Sequence, residues 1–184
     1  MKLFFCQFLL LCSFVVCAQQ KPTELDKSPL DVSYCPPNYP IQKMNGKITM
    51  QPIARVLYSR PQKAGRDLFG NLIVYNQIWR LGANEATEIE FFKDVKIGDK
   101  KVSKGRYTLY AICSENTWSI IINSEKDVWG LSYNAKKDMA RIDVPVQQTE
   151  SITEYFTIYF DNTSSSGNLN IMWDKLKVAM PFTF

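Results

Sequence analysis

The sequence predicts an all-β protein, an antiparallel β-sandwich of jelly-roll character with one long irregular connection. Three observations lead there. Aromatic residues make up 13% of the 184 residues, and aromatic and β-branched side chains fit the half-buried surface of a pleated sheet. From Gly46 onward, short apolar runs alternate with turn-forming residues at the spacing of a sandwich or barrel. Runs such as Phe156-Thr157-Ile158-Tyr159-Phe160 set apolar side chains at every second position, as a strand does with one face in a core and one in water. With 46% apolar and 22% charged residues, the composition is that of a folded globular chain.

In chain order, Met1–Ala18 reads as a secretory signal peptide. Lys2 opens it, Leu3–Val16 is almost continuously apolar, and Val16-Cys17-Ala18 precedes polar Gln19-Gln20 as a cleavage site. The apolar run is shorter than the roughly 20 residues that cross a bilayer, and no later segment qualifies. The expectation is an exported protein, periplasmic or extracellular, without a transmembrane segment. Lipid anchoring through Cys17 competes with this, weakened by Val16, since a small residue normally precedes a lipidated cysteine. Residues 19–45 read as an extended lead-in carrying Pro22, Pro29, Pro36, Pro37 and Pro40, held down by Tyr34, Tyr39 and Ile41.

Residues 46–184 then form a single sandwich domain. Its expected strands are Lys47–Gln51, Ala54–Ser59, Thr87–Phe92, Val95–Ile97, Tyr107–Cys113, Trp118–Asn123, Arg141–Val146, Tyr155–Asp161, Leu169–Trp173 and Lys177–Met180. Gly98-Asp99, Lys104-Gly105, Glu115-Asn116 and the Asp161–Asn168 run mark turns. Asn134–Met139 suits one helical turn. Without apolar heptads or long repeats, coiled coil and solenoid are excluded.

Composition also restricts chemistry. The chain has no histidine, which removes histidine general bases, Ser-His and Cys-His nucleophiles and imidazole-ligated metals. Asp161 and Asn162 match no metal-loop spacing, so neither metal nor cofactor is expected. A net charge of +4 with interspersed acids does not point to nucleic acid. Outside the leader stand Cys35 and Cys113. They form either a disulfide joining the lead-in to a core strand or two unpaired thiols.

Tyr58–Thr87 breaks the strand-turn rhythm. It holds Tyr58, Arg60, Arg66, Trp79, Arg80, Asn84 and Glu85, with three of the eight glycines. Long irregular connections in compact domains are commonly functional, and guanidinium groups beside aromatic faces suit polar or anionic ligands. The competing reading is internal scaffolding, in which the arginines serve main-chain carbonyls and Glu85 pairs with one of them. Trp129, beside Gly130 in a loop with Tyr133 nearby, is a further candidate for the rim. Trp118 and Trp173 fall in apolar strand patterns and read as core.

The motifs YSRPxxxGRxxFG from Tyr58, WRLGANEATEIEF from Trp79, KGRYTLYAI from Lys104, ENTWSIIIN from Glu115 and DVWG from Asp127 together resemble a bacterial family called domain of unknown function 2911. The similarity covers about Gly46–Phe184. The resemblance implies an exported single domain and brings no reaction. Asn76 stands where relatives commonly have glycine. The leading functional expectation is a monomeric binding module for a small polar or anionic ligand such as a glycan, peptide or organic acid. The alternatives are a carboxylate-dependent hydrolase using Glu85, Glu88 and Glu90, and a structural protein with an envelope-protein partner.

Overall fold

The computed structural model describes residues 22–184; the signal peptide and lipidation readings at residues 1–18 lie outside the described residues. Two antiparallel sheets pack face to face. The larger runs in the order β1 (Leu30–Cys35), β2 (Ala54–Ser59), β4 (Glu88–Phe91), β7 (Gly105–Cys113), β8 (Thr117–Asn123) and β9 (Asp138–Pro145), with β3 (Ile78–Trp79) also paired to β7. The smaller runs β10 (Gln147–Asn162), β11 (Ser166–Thr183), β5 (Val95–Ile97) and β6 (Lys100–Val102). The all-β sandwich expected from the sequence is therefore present. Among the described residues no helix is long and apolar enough to cross a membrane.

Alternation explains the core. In β2, Ala54, Val56 and Tyr58 are buried while Arg55 and Leu57 face out. In β4, Ile89 and Phe91 point inward, leaving Glu88 and Glu90 on the outer face. The second sheet answers with Phe156, Ile158, Phe160, Leu169, Ile171 and Trp173, all buried. At one end of this layer Trp79 packs against Phe69, Trp118, Phe156 and Trp173, with ring centroids 5.2 to 6.3 Å apart. Such aromatic contacts add to simple burial.

Several elements differ from expectation. Leu30–Cys35, read as lead-in, is the edge strand β1. Tyr39–Met44 forms a short helix whose first turn accommodates Pro40, which needs no amide donor there. Lys47–Gln51 is not a strand, and Met50 is exposed. Leu169–Trp173 and Lys177–Met180 belong to one long β11, and its register against β10 shifts around the Thr153–Asp174 pair. Asp174 sits there with φ 54°, a left-handed conformation typical of a bulged strand.

The disulfide reading is corrected. Cys35 and Cys113 are both buried free thiols. Cys35 pairs with Ala54, Ala54 with Phe91 and Phe91 with Gly105, so three strand spacings separate Cys35 from β7. Cys113 then lies at the opposite end of β7. That is about 14 Å across the sheet and about 27 Å along it, whereas bridged cysteines have Cα atoms roughly 4.4–6.8 Å apart.

Candidate functional site

After β2 the chain does not regain a strand until β3. Leu68 and Ile73 anchor this connection in the core, and their main chains are joined by the Ile73 N–H donating to Leu68 O at 2.7 Å. Asn76, with φ 61°, turns the chain back toward β3, a conformation open to glycine and tolerated by asparagine. Trp79 pairs with Ala111 on β7, directing the indole inward and Arg80 outward.

The turn between β3 and β4 is held from beneath. Ser59 Oγ donates to Ala83 O and accepts from Ala83 N–H, both at 2.6 Å, and Thr87 Oγ1 donates to Leu81 O. Gly82 lies so near that a Cβ there would sit 2.6 Å from Ser59 Oγ. The turn presents Asn84 and Glu85 at the surface. Against it rests the loop after β8, where Ala86 N–H donates to Val128 O at 3.2 Å. At Gly130, φ is 83°, and a Cβ would lie 2.8 Å from Ala86 Cβ and 2.9 Å from Arg80 Cβ.

The three arginines of the irregular connection engage different partners. Arg60 ties β1 to β10, reaching Asp31 Oδ2 at 3.0 Å, Phe156 O at 3.2 Å and Thr157 Oγ1 at 3.0 Å. Arg66 donates to Lys63 O at 3.0 Å and to Gln62 O, closing its own turn. Arg60 thus serves a β10 carbonyl beside its acid, and Arg66 serves carbonyls of its own irregular turn. Tyr58 is buried edge-on to Phe156, its hydroxyl 3.4 Å from Asp31 Oδ2. Trp79 donates to Gly82 O at 3.3 Å from within the aromatic cluster. Tyr58, Arg60 and Arg66 are taken up by these contacts, while Trp79, packed in the aromatic cluster, also borders the hollow beside Arg80.

Arg80 differs. Its Nε donates to Asn84 O at 2.7 Å, and among the described residues no carboxylate lies within ion-pair distance. Burial pulls its pKa below the ordinary arginine value. It faces a hollow of about 240 Å³ shared with Gln77, Gly130, Leu131 and Tyr133. Across the Trp129–Gly130 turn lies a second, larger hollow of about 460 Å³, whose lining includes Trp129, Glu85, Glu88, Arg106 and Asp127. Arg106 is held there by Asp127 at 2.6 Å and Glu88 at 3.7 Å. Trp129 is 52% exposed, whereas Trp79, Trp118 and Trp173 are core residues.

A family model described as protein of unknown function (DUF2911) matches residues 39–182. The chain belongs to that family. No curated protein and no solved structure matches it. The DUF2911 span contains the irregular connection and both of Arg80's neighbouring loops, but not β1. Asp31, which holds Arg60, thus lies outside it. Arg106 and Asp127 carry no ligand-binding signal in the sequence. An arginine on an alternating strand carries no mark separating a rim from a wet sheet face.

Proposed function

We propose that this member of DUF2911 is an exported, non-catalytic binding module that takes the anionic or strongly polar end of a ligand at Arg80. Export is supported by the Met1–Ala18 leader. The binding reading rests on one observation: a partly buried guanidinium without a counter-ion among the described residues, facing a hollow rimmed by Gln77 and Tyr133. A charge withdrawn from water favours an anion strongly, and the guanidinium fork offers paired donors to carboxylate, sulfate or phosphate.

The hydrolase alternative is less favoured. Glu90 is 2.8 Å from Arg55, and Glu88 is paired with Arg106, so both act in ion pairs across the outer sheet face.

Thermal unfolding in the presence of sulfate, phosphate, citrate and sulfated sugars tests this. A ligand at one hundred times its Kd adds about 2.7 kcal/mol to stability. That gain is expected to persist in Arg66→Ala and vanish in Arg80→Ala. An equal gain in Arg80→Ala, or no gain from any anion, would overturn the reading.

A further inference from the structure

The two hollows beside the Trp129–Gly130 turn make opposite electrostatic demands. On the Arg80 side stands a cation without an acid. On the Trp129 side stand Glu85, Glu88 and Asp127 against the single base Arg106. Arg106 is already engaged by Asp127 and Glu88. Glu85, exposed at the tip of the β3–β4 turn, makes no ion pair or side-chain hydrogen bond with any described residue. An anion entering here would meet net negative charge. A cation would find a half-exposed indole and a carboxylate without a partner among the described residues.

We infer that the Trp129–Glu85 hollow is a second binding site, selective for a small organic cation such as an alkylated ammonium group. Indole is the strongest of the side-chain π-faces for cations, and the attraction grows as water is displaced. Leu30 and Leu57 complete the wall with apolar surface, suited to the methyl groups of a substituted ammonium rather than to a hydrated inorganic ion. A neutral sugar would use the same indole but gains nothing from the excess of carboxylates. Gly130 fits the backbone closely against Arg80 and Ala86, so the turn that carries Trp129 also walls this site from the Arg80 hollow.

Titration of the full chain with choline, with its uncharged carbon isostere and with methyl glucoside tests the assignment. Emission reports on Trp129, because the other three tryptophans are buried, and calorimetry gives Kd. Choline is expected to shift the emission saturably, with the isostere about tenfold weaker. Trp129→Leu should weaken choline by about three- to thirtyfold in calorimetry, and Glu85→Gln should weaken it severalfold at unchanged Tm. If the isostere or methyl glucoside binds as tightly as choline, the site is not cationic. If none of the three saturates, or Glu85→Gln binds choline unchanged, the inference fails.

Discussion

At Gly130 a single hydrogen lets two loops meet. Its φ of 83° disfavours any side chain, and a methyl group would press on Ala86 and Arg80 at under 3 Å. Gly130→Ala is expected to cost about 1 kcal/mol or more in urea unfolding and to red-shift or quench Trp129 emission as the turn lifts. An unchanged midpoint and spectrum would show that the contact does not hold the turn. Trp79 carries the opposite role to the one its neighbour Arg80 carries. Enclosed by four aromatic rings, it is expected to lose about 3–5 kcal/mol on Trp79→Ala in the same assay. A loss under about 1 kcal/mol would contradict its place in the aromatic core. The buried thiols are a third test. Burial, with Asp161 nearby, pushes Cys35 up to about 12 from an ordinary 9.0, and burial raises Cys113 as well. Below pH 9 both thiols are protonated in either state and contribute fully to stability. As pH climbs above that value the unfolded chain releases protons first, so stability falls until the folded value is passed. The decline is at most about 1.4 kcal/mol per pH unit for each thiol. Urea midpoints measured from pH 8 to 11 should fall, less steeply in Cys35→Ala, and a flat profile would contradict thiol burial.

At the scale of elements, legibility followed burial. Ala54–Ser59 and Val95–Ile97 match β2 and β5 residue for residue, because alternating apolar positions bracketed by turn residues leave one consistent register. β1 was concealed because prolines surround it and its Leu30 and Val32 are exposed at a sheet edge. β3, with two residues, is too short to show a period. Arg60 compensates for that weak edge by joining β1 to β10 through Asp31, Phe156 and Thr157. Arg60→Met keeps the side-chain stem and removes the donors. It is expected to cost about 1–3 kcal/mol and to raise amide exchange in Leu30–Cys35 above that in β7. Unchanged exchange in β1 would rule out the bridging role.

At the scale of the whole molecule, the candidate site was legible only in part. Arg80, Asn84, Glu85 and Trp129 were visible as residues that the strand pattern could not absorb, and all four meet around the Trp129–Gly130 turn. Arg60 and Arg66 looked identical in type. What separates them from Arg80 is how each head is engaged: Arg60 holds an acid and two further acceptors, through contacts 29 to 97 residues away, and exposed Arg66 holds two carbonyls of its own turn, whereas half-buried Arg80 donates through Nε alone. Amide and Arg Nε–H chemical shifts, followed while citrate is added, report on whether an anion settles at Arg80. Saturable changes confined to Gln77–Leu81, the Arg80 Nε–H and Gly130–Tyr133 are expected. Changes centred instead on the lysine-bearing β5–β6 hairpin, with Arg80 unmoved, would contradict an anion site at Arg80.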